Sequence, residues 1–387
     1  MAADNDLTKA AEGDKMEMSL PDLSPDINVV IQYDPGKAHL FDFFENKPTT
    51  RFKITDHQLV QCKELGETNT GDPSVLKDFL EWGMKRFEAK RSIVILWSHG
   101  CGVKDLDIYQ SVFQALSASL TPPREEGRVL IKSICPDDKS RDALTISELG
   151  EALAVPGKKI DILIFDACLM NMFEVVYQVR DCTDMVIGSE ATIPTEGLPY
   201  KPILDFIGAH PDAGNDALAD IIVTSFKESF PEPKDLITLS AIRTSSLENT
   251  SACLDEFAKT LCESLTEIRM PLRKIQSETQ KFGEVWQHKK QDYLDFYQFV
   301  SLCRDRLPQE DIRKSAESLL THLDEIMVCC ISEICQDKQK DNPGANGISI
   351  YFPWQRPPEN IEFKLYRRLD FSIRHPHWLK LIMDFHS

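Results

Sequence analysis

Short apolar runs alternate with helix-like segments through most of this chain. The strand-like runs are INVVIQYD, SIVILWS, RVLIKSI, DILIFDA, DMVIGSE, DLITLSAI and NGISIYF. Several of them are apolar at consecutive positions, which is typical of strands buried on both faces. The segments between them, such as SVLKDFLEWGMKRFEAK and NMFEVVYQVRD, place apolar residues at helical spacing. This alternation predicts an α/β fold with a mostly parallel central sheet flanked by helices.

The pattern changes after about residue 245. Long amphipathic segments follow, and MVCCISEIC (327–335) is interpreted as the core of one helix. A single late strand is predicted at 346–352. We therefore expect a core at 1–245 and a mostly helical C-terminal region at 246–387 that returns the late strand to the core.

The charge of the chain argues against some classes of binding partner. The 387 residues carry a formal net charge of −18, which argues against nucleic acid and anionic membrane surfaces. No apolar run is long enough to span a membrane and the first residues lack a secretory core, so a cytoplasmic location is expected. The 11 cysteines are irregularly spaced, which favours reduced thiols over a disulfide framework.

Two of the apolar strands end in reactive residues. SIVILWS is followed by His99 and Gly100, and DILIFDA is followed by Cys168. A helix is predicted directly after Cys168, and its N-terminus would favour the thiolate. His99 would act as base and acid, and the amides of Gly100 and Cys168 would form an oxyanion hole. The alternative is a buried structural cysteine and a His-Gly turn.

Motifs along nearly the whole chain resemble those of clostripain-like cysteine peptidases, which are relatives of caspases, legumains and gingipains. They include MAADNDL, VILWSHGCG, DILIFDACLMNMFEVVYQVRD, IGSEATIPTEGLPY and NGISIYFP. The resemblance implies a caspase-like three-layer sandwich and a catalytic dyad of Cys168 and His99. It also implies endopeptidase activity with cleavage after Arg or Lys.

Two acidic positions match those that the family uses around a basic substrate side chain, in the S1 pocket. They are Asp166 and Glu196, and a desolvated carboxylate there would pair with guanidinium or ammonium. For Asp166 the alternative is a helix cap. The chain departs from the family pattern at Cys101, usually Gly, at Glu196, usually Asp, and at Leu198, usually Trp.

Family members are often zymogens that cut themselves between the two catalytic residues. The connection at 103–127 and the residues after it offer Arg124 and Arg128 as candidate self-cleavage sites. The alternative is a surface loop with solvated arginines. The family pattern also has a core strand before the MAADND element, so we expect that strand to be absent here or the start to be truncated.

No cofactor is required by this chemistry, and no metal site is predicted. The resemblance implies Ca²⁺ for some family members, but the sequence holds no EF-hand loop. His375 and His377 are interpreted as part of an exposed terminal segment. The expected partners are protein or peptide substrates with Arg or Lys before the cleaved bond.

Two rival functions stay open at this point. One is a catalytically silent, caspase-like binding or scaffold module. The other is a thiol or serine esterase, although the sequence has no Gly-x-Ser-x-Gly elbow.

Overall fold

A five-stranded sheet forms the centre of the molecule. The computed structural model describes residues 1–36, 47–103, 133–155, 157–233, 235–283, 292–333, 344–357 and 361–387. The strands of the central sheet, in spatial order, are β13 (Met327–Glu333), β10 (Ile237–Arg243), β9 (Thr183–Gly188), β8 (Ile160–Asp166) and β5 (Ile93–Trp97). The predicted runs SIVILWS, DILIFDA, DMVIGSE and DLITLSAI are therefore all strands of one sheet.

Most strands of the central sheet run in the same direction. β5, β8 and β9 pair in parallel, whereas β10 runs antiparallel to both β9 and β13. Only β10 is reversed, so the expectation of a mostly parallel sheet is confirmed.

Helices cover both faces of this sheet. The helices are α1 (Thr8–Glu17), α2 (Pro73–Arg86), α3 (Ile146–Leu153), α4 (Phe173–Val179), α5 (Tyr200–Ala209), α6 (Asn215–Ser229), α7 (Leu247–Glu263), α8 (Leu265–Glu278), α9 (Phe296–Arg306), α10 (Glu310–Ile326), α11 (Ile361–Tyr366), α12 (Asp370–Arg374) and α13 (Pro376–Phe385). Ile162 and Ile164 of β8 pack with α1, α5 and α6 on one face. Leu163 and Phe165 pack with α3, α4 and α7 on the other. Because successive side chains of a strand point to opposite faces, consecutive apolar residues in β8 supply both cores.

The described residues also form three smaller sheets. They are formed by β1 (Ala2–Ala3), β2 (Val30–Pro35), β3 (Thr49–Thr55) and β4 (Gln58–Gly66); by β6 (Ile134–Asp137) and β7 (Asp142–Leu144); and by β11 (Lys281–Phe282), β12 (Tyr293–Asp295) and β14 (Ser349–Tyr351). The β3–β4 hairpin was not predicted. It turns at Asp56 and His57, both of which have positive φ.

The C-terminal region differs from the prediction in two ways. MVCCISEIC was interpreted as helix core, and this was wrong: helix α10 ends at Ile326 and β13 begins at Met327, where it adds to the edge of the sheet beside β10. The late strand is shorter than predicted, Ser349–Tyr351. It pairs with β12 and meets the loop before α4 through one bridge between Met172 and Ser349.

Within the residues that the structure describes, no helix is both long enough and apolar enough to cross a membrane.

Candidate active site

His99 and Cys168 lie at the same edge of the central sheet. β5 and β8 are parallel neighbours, and their register pairs Trp97 with Asp166. Each strand therefore ends at the same level, and His99 and Cys168 each follow two residues later. The backbone N–H of Ser98 still donates to the carbonyl of Asp166 at 3.2 Å. The strand pairing thus brings the two predicted catalytic residues to adjacent strand ends, where ligands of open parallel sheets bind.

A tight turn, and not a helix N-terminus, holds Cys168. The prediction that a helix starts directly after Cys168 was wrong, because α4 begins only at Phe173. Leu169 has φ +61°, an uncommon backbone conformation for a residue with a side chain. The N–H groups of Leu169 and Asn171 donate to the carbonyls of Ala191 and Ser189, both at 3.0 Å. These bonds fix the turn against the segment after β9.

The sulfur of Cys168 accepts a backbone hydrogen bond from the segment after β9. The N–H of Ile193 lies 3.2 Å from Sγ, and the Ile193 carbonyl oxygen lies 3.8 Å from it. An N–H aimed at the sulfur favours the charged thiolate over the neutral thiol. This bond takes the place of the helix dipole that the sequence suggested.

His99 is held by a carboxylate from the start of the chain. Its Nε2 lies 2.7 Å from Oδ1 of Asp6, and the two side chains are 25% and 77% exposed. Asp6 lies between β1 and α1, and Asn5 beside it donates to the carbonyl oxygens of Ala2 and Pro136. A carboxylate on one ring nitrogen fixes the orientation of an imidazole.

Gly100 packs against the backbone of Cys168. A Cβ at position 100 would lie 2.6 Å from the Cys168 carbonyl oxygen and 2.9 Å from Cγ of Met170, so only glycine fits without movement. Gly100 forms an antiparallel bridge with Ile134. The two bonds of that bridge come from the N–H groups of Cys101 and Cys135, and neither uses the amide of Gly100.

Two buried carboxylates lie behind the cysteine turn. The buried Asp166 accepts hydrogen bonds at Oδ2 from the Tyr200 hydroxyl at 2.6 Å and from the Leu198 N–H at 3.2 Å. It does not cap α4, so the helix-cap alternative is wrong. Asp14 of α1, also buried, accepts from the Trp97 indole at 2.7 Å.

Asp166 and Asp14 both lie close to Gly197, and we call these two carboxylates the carboxylate cluster. A Cβ on Gly197 would lie 3.0 Å from Oδ2 of Asp166 and 3.4 Å from Oδ2 of Asp14. Burial raises the pKa of Asp166 to about 6. Burial and then the charge of Asp166 raise the pKa of Asp14 to about 7. Among the described residues, neither carboxylate forms an ion pair with a lysine or arginine.

The other residues that the sequence analysis singled out lie in different environments, and some of them are not at the active site. Glu196 is exposed and precedes Gly197, next to the carboxylate pair. Cys101 is buried, with its thiol 3.5 Å from the Ser133 carbonyl oxygen. Leu198, where the family pattern has Trp, is fully buried. Arg124 and Arg128 lie outside the described residues.

Sequence reasoning missed Asp6 and Asp14. Asp6 lies within the MAADNDL motif that carried part of the resemblance, but nothing in its local pattern assigned it to His99. Asp14 lies in a helix with polar residues on most sides. Both are more than 80 residues away in sequence from their partners His99 and Trp97, a separation that local periodicity does not bridge.

One known protein is similar to this chain in sequence over about half of the chain. The clostripain described from Hathewaya histolytica is 27% identical over 198 residues, which cover 48% of this chain and 34% of that protein. The match therefore spans about a third of the relative's length.

Two crystal structures share the fold over almost the entire chain. One is described as an inactive zymogen C11 protease from Parabacteroides distasonis, with a TM-score of 0.68, 20% identity and coverage of 97% of this chain and 95% of that one. The other is a secreted C11 cysteine protease from Bacteroides thetaiotaomicron in complex with an irreversible peptide inhibitor, with a TM-score of 0.65, 19% identity and coverage of 96% of each chain. These likenesses establish the caspase-like sandwich that the sequence predicted.

The sequence model of the clostripain family, Peptidase C11, matches residues 1–382. The chain therefore belongs to the clostripain family.

Proposed function

We propose that this protein is a cysteine endopeptidase that cleaves peptide bonds after Arg or Lys. The observation that carries the proposal is the parallel register of β5 and β8, which sets His99 and Cys168 at adjacent strand ends with Gly100 against the Cys168 backbone. Membership of the clostripain family supports the same reaction class.

The reaction begins at the sulfur of Cys168. The thiolate, favoured by the Ile193 N–H, attacks the carbonyl carbon of the scissile bond. The amides of Gly100 and Cys168 would donate to the resulting oxyanion. His99, oriented by Asp6, protonates the leaving amine as the C–N bond breaks and an acyl-enzyme forms. Water, deprotonated by His99, then hydrolyses the thioester and releases the acid product.

Specificity for a basic residue rests on the carboxylate cluster. Asp166 and Asp14 are buried without a basic partner among the described residues, and Glu196 adds a third carboxylate at the exposed side. A guanidinium or ammonium would satisfy these groups, whereas an apolar or acidic side chain would leave them unmatched. The net charge of −18 would also steer cationic substrates toward the protein.

Self-processing at Arg124 or Arg128 is the second part of the proposal. Both lie in the chain between His99 and Cys168 and offer the basic residue that the active site would accept. Intact-mass measurement of the purified protein tests it: we expect cleavage after one of these arginines in wild type and a single unbroken chain in Cys168→Ala. An unbroken, fully active wild-type chain would contradict self-processing.

A fluorogenic peptide panel tests the catalytic proposal. The peptides differ only in the residue before the scissile bond, with Arg, Lys, norleucine and Asp at that position. We expect turnover after Arg and Lys in wild type and in Cys62→Ala, a matched change of an exposed thiol, and none in Cys168→Ala. A chain that cleaves none of the peptides, even after nicking near Arg124, would instead be a catalytically silent binding module.

A further inference from the structure

The loop that carries His99 packs backbone to backbone against the Cys168 turn. A Cβ at Gly100 would lie 2.6 Å from the Cys168 carbonyl oxygen, and a Cβ at Gly102 would lie 2.9 Å from the Leu169 carbonyl oxygen. Gly102 also has φ +68°, a backbone conformation that favours glycine. Because glycine at both positions lets the two backbones touch, the spacing of the two segments depends on what holds each backbone in place.

The hydroxyl of Tyr293 lies at the junction of these two segments. Tyr293 belongs to β12 and is 3% exposed, so its ring is buried. Its hydroxyl donates to the carbonyl oxygen of Cys101, and a Cβ at Gly102 would lie 3.2 Å from the hydroxyl oxygen. A residue of the C-terminal region therefore holds the backbone of the loop two residues after His99.

The small sheet that carries Tyr293 also holds the Cys168 turn. β12 pairs antiparallel with β14, and the N–H of Ser349 in β14 donates to the Asn171 carbonyl at 3.0 Å. The side-chain amide of Asn171 donates to the carbonyl of Gly347, which precedes β14, at 2.7 Å. The His99 loop and the Cys168 turn are thus bonded to neighbouring strands of one sheet, which is a common anchor for both.

The position of Tyr293 is itself fixed by its neighbours in this sheet. Asp295, two residues later in β12, is fully buried, and its carboxylate accepts from the backbone N–H groups of Gln298 and Asn346. The ring of Tyr293 packs edge-on against that of Tyr351 in β14, with the ring centroids 6.3 Å apart. A side chain held in this way can set the position of the group to which it donates.

We propose that Tyr293 is a positioning residue that holds the His99 loop against the Cys168 turn. This role rests on the proposed function, because it requires that His99 acts on the sulfur of Cys168. Through its bond to the Cys101 carbonyl, the hydroxyl keeps the imidazole where it can stabilise the thiolate and protonate the leaving amine. Misplacement of such a group by about 1 Å can cost roughly 100-fold in rate.

Alkylation of Cys168 tests this role without relying on peptide cleavage. The wild-type sequence, Tyr293→Phe, His99→Ala and the double variant are each made with Arg124→Ala and Arg128→Ala, so that all four chains stay unbroken. They are treated with iodoacetamide between pH 5 and 9, and mass spectrometry measures the rate of modification at Cys168. An imidazole paired with the thiol keeps the thiolate populated at low pH.

The expected result separates an effect through His99 from a general disturbance. We expect Tyr293→Phe to lower the alkylation rate at pH 6 by about tenfold, because the thiolate loses part of its support from His99. In the His99→Ala chain the same change should have no further effect, since the hydroxyl acts through His99. Phenylalanine keeps the ring and its packing against Tyr351, and thermal unfolding of each variant checks that the fold is retained.

Steady-state kinetics with an Arg peptide give a second readout, in chains that retain both arginines. Tyr293→Phe should lower kcat about tenfold and change KM by less than about twofold, because the hydroxyl holds the catalytic residues and not the substrate pocket. Tyr33→Phe is the matched control. Tyr33 is also buried, at 4% exposure, and its hydroxyl donates to Glu12 at 3.0 Å, so this variant should behave as wild type.

Failure of this role and failure of the proposed function give different results. A wild-type chain that cleaves no Arg peptide, but in which Tyr293→Phe slows His99-dependent alkylation, would contradict the peptidase and support the positioning role. The role is overturned if Tyr293→Phe keeps the wild-type alkylation profile, or if it slows alkylation equally with and without His99. It is also overturned if wild type and His99→Ala are alkylated alike, since His99 would then have no effect on the sulfur for Tyr293 to maintain.

Discussion

The ring nitrogen Nε2 of His99 lies 2.7 Å from the carboxylate of Asp6, which reaches it from the loop between β1 and α1. The imidazole is thus oriented by a residue at the start of the chain, while the strand β5 that carries His99 lies in the central sheet. The alignment of the proposed base therefore depends on how the N-terminal segment packs against the sheet edge.

Changing Asp6 to Asn should slow catalysis without weakening substrate binding. The amide keeps the shape of the side chain but removes the charged partner that orients the His99 ring. Because Asp6 is largely exposed, we expect a fall in kcat of roughly tenfold rather than the much larger loss seen for buried orienting carboxylates. Steady-state kinetics with an Arg peptide measure this, and Asp26→Asn is the control. An unchanged kcat would show that Asp6 does not position His99.

Gly100→Ala should damage the oxyanion site. A methyl group there would meet the Cys168 carbonyl oxygen at 2.6 Å, so either the His99–Gly100 backbone or the cysteine turn must shift. Loss of one aligned oxyanion donor costs about 100-fold or more in kcat. The comparison is with Gly13→Ala, where nothing lies within 4 Å of the added Cβ. Wild-type kinetics in Gly100→Ala would exclude this backbone from the oxyanion site.

Asp14→Asn should reduce the preference for basic residues. Asp14 and Asp166 flank Gly197, and removing one charge weakens the attraction for guanidinium or ammonium. We expect the ratio of kcat/KM for Arg over norleucine to fall by about tenfold, with norleucine turnover nearly unchanged. Glu12→Gln on the same helix, whose carboxylate contacts Lys15 and Tyr33, should keep the wild-type ratio. An unchanged ratio in Asp14→Asn would leave Asp166 and Glu196 as the candidate specificity residues.

The local pattern of apolar residues predicted most strands of the central sheet and the positions of His99 and Cys168 at two strand ends. The runs that end before His99 and Cys168 are strands because both of their faces are buried, and that burial is visible in the sequence. β13 was missed because Met327–Glu333 continues the apolar spacing of α10. Its partner β10 lies far away in sequence, and only tertiary pairing decides between helix and strand there.

The candidate site was predictable only in part for the same reason. Cys168 and His99 could be predicted because each is a reactive residue that directly follows an apolar strand. The residues that contact them come from segments remote in sequence, and packing alone brings those segments together. Ile193, whose N–H contacts the sulfur, is an apolar residue that offers no chemical signal in the sequence.

Glu174→Gln should flatten the dependence of stability on pH. The Glu174 carboxylate is fully buried; its Oε1 accepts from the Tyr351 N–H and the Tyr366 hydroxyl, both at 3.0 Å, and its Oε2 has no partner. Burial raises its pKa from 4.5 to about 7. The folded protein thus holds a proton that the unfolded chain releases at lower pH. The stability from this proton is complete below about pH 4.5 and is lost as pH rises through about 7.

Urea unfolding of wild type and Glu174→Gln between pH 5 and 8 measures this effect. In wild type the group should lower the free energy of unfolding by up to about 1.4 kcal/mol per pH unit between its two pKa values, a slope that the neutral glutamine cannot produce. The difference between the two proteins isolates Glu174 from the other buried carboxylates, which both share. Glu263→Gln, at an exposed position, should follow the wild-type curve. Parallel curves for wild type and Glu174→Gln would mean that Glu174 keeps an ordinary pKa, and that the hydrogen bonds from Tyr351 and Tyr366 offset its burial.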